Sequence, residues 1–188
     1  MNAQEPLPRA VAARAVTRCA LATVALLARR RTHLPGARVG LCLRFADDTS
    51  ARVFRETVGD CEPPQDPSLL VVEFRLRLLR GRWHRLFLWE CILNTPLFLG
   101  FPGLVSKLWL DRDEQERYRG LYEWNDAAGA EFYARSLWRV LEVVCRPGSI
   151  HYRVIPGLRR DDVLKDPQLL AATSPEDGAA WWRVVAAG

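Results

Sequence analysis

The feature that most constrains the fold is a pair of apolar segments joined by a short charged tip. It spans residues 101–124 and reads FPGLVSKLWLDRDEQERYRGLYEW. Residues 101–103, Phe-Pro-Gly, predict a turn, and the two segments that follow, 104–111 and 117–124, carry apolar and aromatic residues on either side of the tip RDEQE. We therefore expect two neighbouring antiparallel strands within a larger sheet.

The elements on either side of this hairpin complete a recognisable order. They are a strand at 69–78, a helix at 82–95, the hairpin, a helix at 127–146 and a final strand at 149–156. Pro96 ends the first helix, and Asp126 is a suitable N-cap for the second, whose apolar positions follow the 3.6-residue period. The order β-α-β-β-α-β predicts an α+β fold, a ferredoxin-like antiparallel sheet with a helix layer on one face.

The face of the sheet away from these helices also needs a cover. Without one, Trp109 and its apolar neighbours would form a large exposed patch. A second copy of the chain is the simplest cover, which predicts a homodimer with a dimeric α+β barrel. The alternative cover is the segment 37–58 together with the N-terminal helix.

Three further segments flank the ferredoxin-like domain predicted at 69–156. They are a basic N-terminal helix at 1–36, a β-hairpin extension at 37–60 and a C-terminal arm at 157–188. Residues 61–68 contain three prolines, which disfavour both helix and strand, so the main boundary is placed there. Trp181 and Trp182 are expected to anchor the arm to the body or to a partner.

The excess of positive over negative charge lies in the N-terminal segment of the chain. Residues 1–31 contain six arginines and one glutamate, which accounts for the whole formal net charge of +5. A nucleic-acid-binding domain carries its basic residues on the folded surface, where they neutralise phosphates. This distribution argues against nucleic acid as a partner.

The segment 8–31 has good helix formers throughout, and three interpretations of it stay open. Its unbroken apolar run, residues 19–28, is shorter than the roughly 20 residues needed to span a bilayer. The segment is a helix docked on the domain, a helix that makes a peripheral contact with a membrane or a partner, or an uncleaved export signal. We expect a cytoplasmic protein, with membrane association as the open alternative.

The cysteines and histidines do not form a metal-binding pattern. The five cysteines are scattered, no Cys-x-x-Cys pair occurs, and the three histidines are far apart. Neither a zinc site nor a disulfide framework is predicted, and reduced thiols suit a cytoplasmic compartment.

Four features of the sequence stand out together: the turn Phe-Pro-Gly-Leu, the Ser-Lys strand with its tryptophan, the Tyr-x-Trp strand and the Ala-rich helix with EFYARSL. In these features the chain resembles the YdhR-like monooxygenase family. This family belongs to the dimeric α+β barrel superfamily, and the similar portion is 69–156, under half of the chain. The resemblance implies activity on aromatic or quinone-like compounds without a metal, flavin or other cofactor. The N-terminal helix, added hairpin and C-terminal arm depart from the family's pattern.

A pocket between the sheet and the helices is the expected site. Cofactor-free oxygenation needs a substrate that loses a proton and then reduces oxygen itself, so a base and a stabiliser of negative charge are required. Glu90 or His151 is the candidate base, and Asn94 lies one helical turn from Glu90. The candidate substrate-binding residues are Arg75, Trp89, Lys107, Trp109 and Tyr122.

Each of these residues also has a purely structural interpretation. Glu90 could pair with Arg75 or Lys107, and the tryptophans could serve as core or dimer contacts. Two other functions therefore stay open: a non-catalytic ligand-binding or structural module attached through the N-terminal helix, and a cyclase or isomerase that uses the same pocket.

Overall fold

The computed structural model describes residues 5–29, 31–60, 64–77, 99–173 and 180–188. The elements in chain order are α1 (Arg9–Ala28), β1 (Thr32–His33), β2 (Cys42–Phe45), β3 (Ser50–Gly59), β4 (Ser68–Phe74), β5 (Leu104–Leu110), β6 (Tyr118–Trp124), α2 (Ala127–Val144), β7 (His151–Pro156), α3 (Arg160–Lys165), α4 (Gln168–Thr173) and β8 (Val184–Ala187). The helix predicted at 82–95, with Trp89, Glu90 and Asn94, lies outside the described residues.

The predicted ferredoxin-like sheet is confirmed. Its four strands lie side by side in the order β7-β4-β6-β5, and every neighbouring pair is antiparallel. β5 and β6 form the hairpin expected at 101–124, with Leu108 opposite Leu121. The turn before β5 contains Gly103 at φ 88°, a left-handed conformation that glycine adopts without strain.

The segment 37–60 continues this same sheet. β3 pairs with β5 on one side and with β2 and β1 on the other, and β8 adds to the far edge of β2. A register shift between Val53 and Arg55 interrupts the β3–β5 ladder, and such irregularities bend and twist a strand. The sheet therefore curls into a half-barrel.

The helices α1 and α2 pack on one face of this curled sheet. The N-cap predicted for α2 is confirmed, because the Asp126 carboxylate accepts a hydrogen bond of 2.7 Å from the backbone N–H of Gly129. Tyr133, Leu137 and Leu141 are buried along the inner face of α2. They belong to a core that includes Leu70, Val72, Trp109, Tyr122, Trp124 and Tyr152 from the strands.

The chain itself covers the opposite face of the sheet. Leu69, Val71, Leu108 and Leu121 on this face have no exposed surface, and they share a core with residues of β2, β3, β8, α3 and α4. Trp182 is 4% exposed and belongs to the same core, so its predicted anchoring role is confirmed. The prediction that this face needs a second copy as cover is therefore wrong, and Trp109 lies on the helix-covered face instead. The homodimer itself stays a prediction.

The helix α1 is docked on the domain. Ala12, Cys19 and Thr23 are buried on its inner face. Gly100 contacts the helix so closely that a Cβ at this position would lie 2.7 Å from the Thr23 backbone nitrogen and closer still to the Cys19 carbonyl oxygen. Within the described ranges, no helix has the length and apolar character needed to cross a bilayer.

A cluster of buried ion pairs joins the β2–β3 turn to the central strands. Two guanidiniums, from Arg117 and Arg119, face the three carboxylates of Asp47, Glu73 and Asp113 at distances of 2.6 to 3.3 Å. The side chains of Arg119 and Asp113 have no exposed surface. We expect this cluster to hold the added hairpin in register, because each charge depends on partners from other strands.

Burial and neighbouring charges shift the pKa values of two carboxyl groups of this cluster in opposite directions. Burial raises the pKa of Glu73 above its usual value, although Arg119 and Arg117 oppose the shift. Burial acts in the same direction on Asp47, but a hydrogen bond from Thr49 and the charges of Arg119 and Arg117 outweigh it, so the pKa of Asp47 is lowered.

Candidate functional site

A cavity of about 880 Å³ lies between the sheet and the two helices α1 and α2. Strands β3 to β6 supply one wall with five aromatic side chains, which are Phe54, Phe74, Trp109, Tyr118 and Tyr122. α1 contributes Ala12 and Val16, and α2 contributes Leu137 and Val140. The alternation of β6 places Tyr118, Gly120 and Tyr122 on the same face, which explains why one strand provides so much of the wall.

Lys107 is the most unusual group in this cavity. It is 4% exposed, and its Nζ lies 3.0 Å from the centroid of the Trp109 ring and 4.7 Å from that of Tyr122. A cation over an aromatic face is attracted by the ring quadrupole, and the attraction grows when the cation is removed from water. The Trp109 ring is itself fixed, because its Nε1–H donates a 3.1 Å hydrogen bond to Thr57 Oγ1.

Gly120 gives the aromatic wall its shape. It lies opposite Trp109 in the β5–β6 ladder. A Cβ at this position would lie 2.6 Å from the ring of Tyr122, so only glycine allows that ring to fold back over the strand. The rings of Tyr122 and Trp109 therefore both reach Lys107.

Tyr133 supports this wall from the side of α2. Its ring centroid lies 5.4 Å from that of Tyr122 and 4.9 Å from that of Trp124. The residue is fully buried, and burial raises the pKa of its hydroxyl well above the usual value. Tyr133 packs against the aromatic wall from the side of α2.

The charged residues among the described lining of the cavity are mainly positive. Glu142 is the one acidic residue among its described lining residues. Its carboxylate is held 3.0 Å from Arg139 Nη1, and Arg139 Nε also donates a 2.7 Å hydrogen bond to the Leu7 carbonyl. Lys107 and Arg9 add positive charge to the described lining.

Three of the residues predicted for the site come together. Lys107, Trp109 and Tyr122 share the β5–β6 wall of the cavity. Their roles in binding stay a prediction, while Glu90, Asn94 and Trp89 lie outside the described residues.

His151 and Arg75 lie apart from this wall. Odd-numbered residues of β7 face the other side of the sheet, where His151 is exposed and its ring centroid lies 6.1 Å from that of Trp181. Arg75 follows the end of β4, where its backbone N–H donates a 3.2 Å hydrogen bond to Ser149 Oγ. Neither residue lines the cavity, so the structure does not support a base at position 151 for chemistry there.

Several cavity residues were missed by sequence reasoning. Phe74 and Tyr118 could have been found, because strand alternation places them on the same face as Val72 and Tyr122. Phe54 could not, since its position depends on the pairing of β3 with β5, which no local pattern indicates. In the parts of the chain that the structure describes, no group of His, Cys, Asp or Glu side chains could jointly hold a metal ion.

No family model and no curated protein matches this chain. The solved structures that are similar to it include two from Listeria. One, from Listeria monocytogenes 4b F2365, is described as an uncharacterized ferredoxin fold protein related to antibiotic biosynthesis monooxygenases. It is 12% identical to this chain with a TM-score of 0.43, and the match covers 72% of this chain and 88% of that chain. The other, from Listeria innocua, is described as a monooxygenase-like protein. It is 13% identical to this chain with a TM-score of 0.42, and the match covers 60% of this chain and 67% of that chain. The YdhR-like family stays a prediction.

Proposed function

We propose that this chain binds a small aromatic molecule in the cavity between β3–β6 and the helices α1 and α2. The observation that carries the proposal is the buried ammonium of Lys107, which lies against the face of Trp109 inside an aromatic cavity. The cavity volume of about 880 Å³ falls in the range of about 300–1,000 Å³ common to small-molecule sites.

The wall residues define what such a molecule should look like. A flat ring can stack on Tyr118 or Tyr122, since aromatic pairs gain about 0.5–1.5 kcal/mol beyond the area they bury. An oxygen that carries negative charge would be stabilised by Lys107, because charges interact more strongly where water is excluded. A phenol, hydroquinone or anthrone that ionises in the cavity has both features.

We further propose that the chain oxidises this molecule without a cofactor. With an anthrone, the ionised ring system would pass electrons to dioxygen. Its CH₂ group would become a carbonyl that contains one oxygen atom, and the other oxygen atom would leave as water with the two hydrogens. Lys107 would stabilise the anion, and Glu90 stays the predicted base, with Asn94 beside it.

Binding is tested by comparing the only two lysines of the chain, Lys107 and Lys165. Lys165 is exposed on α3, so Lys165→Met is a matched control for Lys107→Met. We expect Lys107→Met to weaken binding of 1,4-naphthohydroquinone by about ten-fold or more, from a lost charge-assisted interaction of about 1.5–3 kcal/mol. Titration of tryptophan fluorescence measures this affinity, and the control variant should bind like the wild type.

Oxidation is tested separately with an oxygen electrode, after treatment with a chelator. We expect one dioxygen consumed per anthrone converted, and a lower rate in Lys107→Met than in Lys165→Met. Binding without oxygen uptake would defeat the proposed reaction but not the proposed site. A protein that binds neither the hydroquinone nor the anthrone would defeat both.

A non-catalytic ligand-binding module is the second candidate function. One observation favours it: among the described lining residues the one carboxylate, Glu142, is held by Arg139, and no histidine is present. A cyclase or isomerase would use the same wall residues. Mass spectrometry of the product separates these cases, because binding leaves the molecule unchanged and isomerisation changes its structure without adding oxygen.

A further inference from the structure

The helix α1 has an outward face that its packing role does not explain. Its buried residues, Ala12, Cys19 and Thr23, lie on one side. The opposite side presents a stripe of exposed residues at steps of three or four, which consists of Val11, Arg14, Arg18, Leu21 and Ala25 of the helix and of Arg29, the residue that follows it. At a rise of 1.5 Å per residue the stripe is roughly 27 Å long. We call these six residues the outer stripe.

The outer stripe combines apolar and basic side chains. Leu21 is 68% exposed and Val11 is 43% exposed, while Val24, at the edge of the stripe, is 60% exposed. An exposed leucine or valine is ordinary when it is isolated, but here the apolar residues share one helix face with three arginines. A surface with both features fits a partner that is charged at its boundary and apolar beneath.

No acidic residue in the described part of the chain pairs with the arginines of the outer stripe. α1 contains no acidic residue. Two acidic groups close to it are engaged, since Asp60 pairs with Arg31 at 3.4 Å and Glu142 pairs with Arg139 at 3.0 Å. Within the described part of the chain, Arg14, Arg18 and Arg29 form no ion pair.

We propose that the outer stripe docks the protein on an anionic lipid membrane. Helices that lie in the membrane interface place apolar residues among the acyl chains and basic residues among the headgroups. Each arginine near an anionic lipid surface strengthens binding by roughly five-fold. Nucleic acid would match the arginines alone, whereas the lipid surface also accounts for Leu21 and Val24.

Docking through the outer stripe has a consequence for the cavity. The opposite side of α1 contributes Ala12 and Val16 to the cavity wall. A membrane beneath the outer stripe would therefore hold the cavity within one helix diameter of the lipid phase, where apolar aromatic molecules concentrate. This consequence rests on the proposed function, but the docking does not.

Sedimentation of the full-length protein with lipid vesicles tests the docking. The vesicles contain phosphatidylcholine alone or with phosphatidylglycerol, at low and high salt. The test variant is Arg14→Gln/Arg18→Gln/Arg29→Gln. The control, Arg44→Gln/Arg52→Gln/Arg112→Gln, removes the same charge from exposed arginines elsewhere.

We expect wild-type protein to sediment with the anionic vesicles only, and high salt to release it, because salt screens exposed charges. The test variant should lose on the order of 100-fold in partitioning, and the control should keep most of its binding. Circular dichroism should show the same folded state for all three proteins.

Three outcomes would overturn the docking. The first is no preference of the wild type for anionic vesicles. The second is an equal loss in the test and control variants, which would mean that net charge alone acts. The third is displacement from the vesicles by a short DNA duplex that binds through the same three arginines, which would identify nucleic acid as the partner.

Discussion

Replacing Arg119 by methionine is expected to lower the free energy of unfolding by about 3–5 kcal/mol at neutral pH. The guanidinium lies 2.9 Å from Asp113, 3.0 Å from Asp47 and 3.1 Å from Glu73, and its own side chain is fully buried. Methionine fills similar space but leaves Arg117 alone against three carboxylates. An uncompensated buried charge is among the most destabilising changes a protein can suffer.

This loss should shrink as the pH is lowered. A carboxyl group whose pKa is higher in the folded than in the unfolded state destabilises the fold above both values, and protonation removes this penalty as the pH falls through the folded pKa. Burial already raises the pKa of Glu73, and removal of Arg119 would raise it further. The Arg119→Met variant should therefore approach the wild type in acid.

Urea unfolding at neutral and at acidic pH measures both effects. Arg112→Met is the matched control, because its guanidinium lies at the surface, 3.7 Å from Glu116, and exposed pairs contribute about 0–1 kcal/mol. Equal stability of the Arg119 and Arg112 variants at neutral pH would show that the cluster does not hold the added hairpin on the sheet.

Replacing Gly100 by alanine is expected to destabilise the docking of α1 by about 3 kcal/mol. The added Cβ would meet the Cys19 carbonyl and the Thr23 backbone nitrogen of α1. Overpacking costs about 1–3 kcal/mol even where side chains can adjust, and here the obstacle is helix backbone. The helix must therefore shift away from the domain.

Labelling of Cys19 reports this shift directly. The thiol is 2% exposed, and burial raises its pKa, so it should react slowly in the wild type. Gly100→Ala should speed its reaction, whereas Gly36→Ala should not, because a Cβ at Gly36 has nothing within 4 Å. Unchanged labelling in Gly100→Ala would contradict the close packing of α1 on residues 99–101.

The sequence allowed prediction of the ferredoxin-like order because its signals are local. The alternation of β5 and β6, the charged tip between them, and Asp126 before α2 each depend on a few neighbouring residues. The pairing of β3 with β5 depends on residues about 50 positions apart, and no local pattern encodes it. This pairing is what adds Phe54 to the cavity.

The burial of some charged residues could not be predicted from the sequence, for a physical reason. Arg160 is 3% exposed, and its Nη2 lies 2.8 Å from the fully buried Glu56. Asp113 belongs to the predicted charged tip, yet its side chain is buried against Arg117 and Arg119. Charges are buried only with their partners, and the partners come from distant strands.

The most direct test of the proposed site is fluorine NMR of protein labelled with 5-fluorotryptophan, titrated with anthrone. Trp109 lies in the cavity wall and Trp182 on the opposite face of the sheet, so the two rings report on the two faces. Trp109→Phe and Trp182→Phe assign their resonances among the seven tryptophans. We expect the Trp109 resonance to move on saturation and the Trp182 resonance to stay. A shift of Trp182 with none at Trp109 would contradict a ligand site on the helix-covered face.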